Sequence, residues 1–251
     1  QPIFQQLDVR ANRDGHHQAA LSRTVDHIAV SDGQLEVELK AVAGAPILSA
    51  IEAFQRVSVP DTAARLIWSD EFDDASKDGR QAPRSDRWAI DIWPARKVND
   101  EDQAYTGRAK NVRVESGVLI LEAHQEAYQD AQYTSARVHT KGLLDLQYGQ
   151  IEVRAKLPRG QGTWPAIWML PSNPFKFATT CDASVPEWQG NADCDAWPNS
   201  GEIDIMEHVG FDPGVVHGTV HTKAYYWANW NQHKGSIVVP DFDQFHRYQL
   251  I

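Results

Sequence analysis

Only two of the 251 residues are cysteine, Cys181 and Cys194. That is too few for a disulfide scaffold, although one bond could close a single loop of a secreted protein. Basic charge is also scarce. Lys and Arg number 24 against 34 Asp and Glu, a formal net charge of −10, so there is no electrostatic footprint for phosphate backbones or anionic membranes. Nucleic acid is therefore not an expected partner. No apolar run approaches the roughly 20 residues a bilayer crossing needs. The opening Gln1-Pro2-Ile3 has neither a basic stretch nor an apolar core behind it, as expected of a chain that is processed or internal to something longer. Helical periodicity, internal repeats and low-complexity tracts are missing as well.

Tryptophan is abundant. All nine lie between Trp68 and Trp230, and residues 1–60 have none. The composition changes near position 60, where Pro60 and small polar residues precede an apolar restart at Leu66-Ile67-Trp68. A linker over 59–65 fits that change. On its N-terminal side Leu35, Val37, Leu39 and Ala41 alternate with Glu36, Glu38 and Lys40, the pattern of one strand. On its C-terminal side period-2 alternation recurs. Val112 and Val114 lead to a turn at Ser116-Gly117 and then to Leu119, Leu121 and Ala123, and Ile151, Val153, Ala155 and Leu157 form a later run. Glycine and proline punctuate the remainder. The expected class is all-β, a sandwich of antiparallel strands with one wet face.

Gly201-Glu-Ile-Asp-Ile-Met-Glu-His-Val-Gly210 is the most informative segment. On a strand Ile203 and Ile205 share one face and Glu202 and Asp204 the other. Strict alternation would send Glu207 into the apolar face, where an unpaired carboxylate costs several kcal/mol. A bulge at Ile205-Met206 returns it to the face of Glu202 and Asp204. The two glutamates would then be about four regular positions apart, roughly 13 Å along the strand. Side chains leaning inward would bring their carboxyls to roughly 5–6 Å, near the ~5–5.5 Å of retaining glycosidases. Asp204 between them should raise the pKa of one carboxyl, leaving a general acid beside an ionised nucleophile. A solvated acidic face or a Ca²⁺ site would use the same oxygens. Aromatics favour sugar chemistry: Trp164 and Trp168 are evenly spaced and Trp197 lies just upstream, and flat rings stack on the apolar faces of sugars. At least half of the nine tryptophans are expected to be structural.

These residues resemble glycoside hydrolase family 16, and within it the laminarinase-like endo-β-1,3-glucanases. The resemblance is carried by Trp68-Ser-Asp-Glu-Phe72, Asn99-Asp-Glu-Asp-Gln-Ala-Tyr-Thr106, Tyr133 to Gly142, Tyr148 to Pro158, Trp164-Pro-Ala-Ile-Trp-Met-Leu-Pro171, the acidic strand and Val216 to His221. It implies a concanavalin-like β-jelly-roll with a sugar cleft on its concave face. Glu202 is implied as nucleophile, Asp204 as the carboxylate that tunes it, and Glu207 as acid/base. Trp164, Trp168, Trp197, Arg137 and His221 are implied as cleft residues, with Asn99 and Glu101 on a bordering loop. Arg137 might equally serve a strand-face ion pair. His217 and His221 stand too far apart along a strand to chelate one metal together. No cofactor is required for the chemistry, although a structural Ca²⁺ is common in the family, with Glu71 a candidate ligand.

Residues 1–58 resemble the C-terminal part of a malectin-like carbohydrate-binding module, and 66–251 the catalytic domain, which stops where the family continues into further strands. The expectation is an incomplete domain, inactive as it stands, with unpaired edges beside the acidic strand and an open cleft. The implied whole is a secreted or cell-surface monomer with a polysaccharide as its partner: β-1,3-glucan first, with agar, porphyran or mixed-linkage glucan as alternatives. A non-catalytic glycan-binding jelly roll is the rival from another class. In such a secreted protein Cys181 and Cys194 are expected to bond. They would close a 14-residue loop worth about 3 kcal/mol by the chain-entropy model.

Overall fold

The computed structural model describes residues 65–73 and 79–251. Apart from residues 65 and 66 these belong to the second of two units into which the chain divides, Ile67–Ile251. The strand expected over 35–41, the malectin-like stretch and nearly all of the linker lie outside the described residues. In chain order the strands are β1 (Arg80–Gln81), β2 (Ala89–Ile90), β3 (Gln103–Tyr105), β4 (Val112–Glu115), β5 (Val118–Leu121), β6 (His124–Tyr128), β7 (Ala131–Ser135), β8 (Val138–His139), β9 (Ile151–Lys156) and β10 (Ala166–Met169). A short helix, α1 (Ala196–Asn199), precedes β11 (Glu202–His208), β12 (Val215–His221), β13 (His233–Val238) and β14 (Phe245–Leu250). A 3-10 turn at Trp227–Asn229 separates β12 from β13. The described residues are thus nearly all-β.

Local rules account for most of these elements. β4 and β5 form a two-residue hairpin because Ser116 and Gly117 both take left-handed backbone, at φ 54° and 74°. Positive φ at both central residues is what the right-handed twist of paired strands selects. Val112 and Val114 are buried as the alternation requires, but the expected apolar face of the second strand ends early. Leu121 is 47% exposed and Ala123 lies outside the strand, because β5 is the outer strand of the β1–β4–β5 sheet among the described residues. β9 keeps its alternation, with Ile151, Val153 and Ala155 half-buried between exposed Glu152, Arg154 and Lys156.

The site rests on two layers. One is the antiparallel sheet β10–β11–β12–β13; the other is the antiparallel pair β9–β14. Between them Leu157, Met206, Val216, Phe242 and Tyr248 form a buried cluster, with Ala155, Ile167, Ile205 and Val239 packed against it. Met206 is 1% exposed, a burial worth about 1.5–3 kcal/mol, and it fixes which face of β11 looks inward. The acidic strand is paired on both sides, by β10 and β12. This corrects the expectation of open edges directly beside it: among the described residues the edges of this sheet are β10 and β13, and β13 is exposed throughout.

Past the end of β11 the chain is pinned by His208, which is fully buried. Its Nε2 accepts the Gly214 N–H at 3.1 Å and its ring stacks on Phe242 at 4.4 Å between centroids. Burial pushes its pKa down, so the imidazole is neutral.

Candidate active site

The bulge in β11 falls where the sequence places it. Glu202 pairs with His221 and Glu207 with His217 on β12, so five steps along β11 face four along its neighbour. On the other side Trp168 pairs with Asp204 and Ile167 with Met206, leaving Ile205 as the extra residue. One inserted residue exchanges the faces of everything beyond it. Met206 therefore enters the core, and Glu207 returns to the face of Glu202 and Asp204.

Each glutamate is held by an indole. Trp164 Nε1 donates to Glu207 Oε1 at 2.9 Å, and Trp197 Nε1 donates to Glu202 Oε2. Trp164 is 63% exposed and lies just before β10, behind the 160–163 turn. That turn is set by a close approach: Gly210 N–H donates to Thr163 O at 2.8 Å, and a Cβ on Gly210 would come within 1.8 Å of the Gly160 carbonyl oxygen. Trp197 precedes the trans-to-cis change at the Trp197–Pro198 bond inside α1. Its ring meets Tyr226 edge-on at 5.9 Å and tilts against His221 at 5.7 Å.

Asp204 is the most enclosed of the three carboxylates, 4% exposed. Burial comes first and the neighbouring Glu202 and Glu207 charges follow in pushing its pKa up to about 8. It therefore carries the proton at neutral pH and donates to Glu202. Burial also raises the Glu202 carboxyl, while hydrogen bonds from Asp204 and Trp197 and the Arg137 charge act in the opposite direction. The expectation that one carboxyl of the triplet is held protonated is met at Asp204, not at a glutamate. The physical reason is that the middle position combines the deepest burial with an anion on either side. His221 Nε2 lies 3.1 Å from Asp204 Oδ2 without the angle of a hydrogen bond.

Arg137 serves both roles considered for it. It pairs with Asp91 at 3.0 Å, and its guanidinium lies over Trp93 at 4.4 Å and over Trp168 at 4.7 Å. Glu101 does not reach the triplet. Its Oε2 accepts from Tyr105 Oη at 2.8 Å and from Gln103 Nε2 at 3.0 Å, and the Tyr105 ring meets Trp93 edge-on at 6.2 Å. Burial and the Glu101 charge hold the Tyr105 phenol well above its usual pKa, so it acts as a neutral donor. Asn99 is exposed in a left-handed turn at φ 53° and has no printed bond to any of these groups among the described residues. His217 sits opposite Glu207 and His221 opposite Glu202, four residues apart on one strand.

Asp91, Trp93, Tyr105 and Tyr226 are the participants that sequence reasoning missed. Asp91 and Trp93 come to Arg137 through the short β2–β8 pairing, and a two-residue strand leaves no readable period. The tryptophan estimate also needs correction: Trp68 packs on Trp88 and Trp188 on Phe175, but none of the nine is buried in the core. Their rings are too large to be enclosed by short strands and loops. Among the described residues no group of three or more His, Cys, Asp or Glu is placed to hold a metal ion, and Glu71 is exposed. Cys181 and Cys194 are bonded, with their Cα atoms 5.0 Å apart.

An all-β sandwich with three carboxylates and aromatic rings on one sheet face is the scaffold of a two-carboxylate glycosidase. The chain belongs to the glycosyl hydrolases family 16, whose model matches residues 99–251. It is 47% identical over 187 residues to a beta-glucanase of Rhodothermus marinus, covering 74% of this chain and 58% of that protein. It is 37% identical to glucan endo-1,3-beta-glucosidase A1 of Niallia circulans, covering 62% of this chain and 22% of that one. The laminarinase structure from Rhodothermus marinus superposes with a TM-score of 0.63 at 46% identity, over 73% of this chain and 66% of that chain. The endo-beta-1,3-glucanase structure from Pyrococcus furiosus gives 0.58 at 30% identity, over 74% and 66%. The chain thus spans less than two thirds of each of these proteins. The jelly-roll expectation agrees with these neighbours.

Proposed function

We propose that the protein carrying this chain is an endo-acting, retaining hydrolase of β-1,3-glucan. The observation that supports this best is the bulged strand β11, which turns Glu202 and Glu207 to one face with a protonated Asp204 between them. Glu202 attacks the anomeric carbon while Glu207 gives its proton to the departing glycosidic oxygen. A covalent glycosyl-Glu202 ester results. Glu207, now ionised, takes a proton from water, whose oxygen attacks the same carbon and releases Glu202. Asp204 and Trp197 each direct a hydrogen bond at Glu202, holding it oriented before attack and stabilising it when it departs as a carboxylate. Trp168 and the Arg137 guanidinium offer a stacking face and donors to sugars beside the cleavage point. The two carboxylates complete the cycle with no cofactor.

The relatives named above are glucanases and the match to their acidic strand is continuous, which supports β-1,3-glucan over agar, porphyran or mixed-linkage glucan. A polysaccharide too large to cross a membrane and a disulfide together support action outside the cytoplasm, by a single chain. No helix among the described residues is long and apolar enough to cross a membrane. The test is to incubate the protein with laminarin, agarose and lichenan and to measure new reducing ends. Release from laminarin well above the other two is expected. Release from agarose alone would overturn the substrate, and release from none of the three would overturn the enzyme reading.

A further inference from the structure

A cavity of about 570 Å³ lies beside the triplet, on the far side of Trp197 from Glu202. Its walls come from the disulfide loop, from α1 and from the β12–β13 connection, and include Asp195, Trp197, Asn199, Lys223, Tyr226 and Asn229. Volumes of this size hold small ligands. The loop wall is fastened: the Asp195 carboxylate accepts from Thr179 and Thr180 through both backbone N–H and hydroxyl groups, and from Asn199 Nδ2 at 2.7 Å. The Cys181–Cys194 bond ties the same loop. On the opposite wall the Lys223 ammonium, the Tyr226 hydroxyl and the Asn229 amide have no side-chain partner among the described residues. The Trp197 and Tyr226 rings stand between the two walls.

The position relative to the strands determines what could enter. Arg137, Trp168 and Asp204 follow one another across the strands at one level, whereas Glu207, Asp204, Glu202 and then Trp197 follow one another along β11. A glucan whose scissile bond sits between the two glutamates crosses the strands at the Asp204 level. The cavity is displaced along the strand, past Glu202, and is therefore lateral to the main chain. Its free groups are one cation, one hydroxyl and one amide, and Asp195 and Glu202 stand close by, so the lining suits a neutral polyol better than an anion. We propose that this cavity receives a single-sugar branch carried by the glucan unit at the cleavage point, so that the enzyme cuts at branched units. This rests on the glucanase reading above.

The experiment compares kcat/KM on a linear β-1,3-glucan and on one carrying single β-1,6-linked glucosyl branches, for the unaltered protein and for a Lys223→Ala, Asn229→Ala double variant. Both positions are exposed, and a thermal melt checks that the variant folds. The branched-to-linear ratio should fall at least fivefold in the double variant. Mass spectrometry of the unaltered protein's products should find branched units at new chain ends. An unchanged ratio, including an equal loss on both substrates, would overturn the branch site and leave the glucanase reading standing. Failure of the unaltered protein to cut either glucan would overturn that reading and the branch site with it.

Discussion

Replacing Asp204 with asparagine should stabilise the protein at neutral pH and change little in acid. Asp204 titrates near 8 in the folded chain, against an ordinary 3.8. Between those values the folded state binds a proton that the unfolded state has released, so stability falls as pH rises through that window and levels off above about 8. At pH 7 roughly three pH units of the window have been crossed. At 1.36 kcal/mol per unit, the aspartate lowers native stability by about 4 kcal/mol relative to a neutral side chain of the same shape. Asparagine is such a side chain, and its amide can still donate to Glu202. The expected gain for Asp204→Asn is therefore about 4 kcal/mol at pH 7, shrinking to roughly 0.5 kcal/mol at pH 4. Urea unfolding at both pH values measures it. A gain of equal size at the two pH values, or a loss at both, would refute the assignment of the proton to Asp204. The same substitution should remove the alkaline limb near pH 8 from the kcat profile, because that limb is the loss of the donor to Glu202.

Glu202→Gln and Glu207→Gln should each lower laminarin hydrolysis by roughly 10³-fold or more with an unchanged melting profile, since each removes a bond-making or proton-moving group; near-parental activity in either would reject its role. Trp164→Phe keeps the ring and deletes the N–H that reaches Glu207 at 2.9 Å; at such an exposed site the loss should be about tenfold in kcat, seen in steady-state kinetics. Gly210→Ala drives a methyl against the Gly160 carbonyl, so it should destabilise by about 1–3 kcal/mol in chemical unfolding and disturb Trp164 enough to reduce activity. Reducing the Cys181–Cys194 bond should lower stability by about 3 kcal/mol, read from unfolding with and without reductant.

The acidic strand was legible because a single physical conflict, a glutamate bound for the apolar face, has a single local remedy. The bulge at Ile205 is that remedy, and with it came the burial of Met206 and the common face of the three carboxylates. The Ser116-Gly117 hairpin was legible for a similar reason, since only a few residues take two successive left-handed conformations. The proton's location was not. Crowding predicts that one carboxyl is raised, but which one depends on burial, and alternation along one strand does not report the depth added by Trp168 and His221 from its neighbours. Arg137 left two readings open because an ion pair and a stacked cation have the same sequence signature; Asp91 and Trp93 satisfy both only after β2 and β8 meet. The lateral cavity was invisible for the same cause, being assembled from a disulfide loop and a strand connection some 25 to 30 residues apart in the chain.

The covalent role of Glu202 can be read directly by trapping. The protein is mixed with a 2-deoxy-2-fluoro-β-laminaribiosyl fluoride, whose electron-poor ring slows release of the glycosyl-enzyme more than its formation, and is then digested for peptide mass spectrometry. A fluoroglycosyl adduct on Glu202, absent from Glu202→Gln, is the expected result. An adduct on any other residue, or turnover of laminarin that leaves no adduct and releases the α-anomer first, would contradict the account.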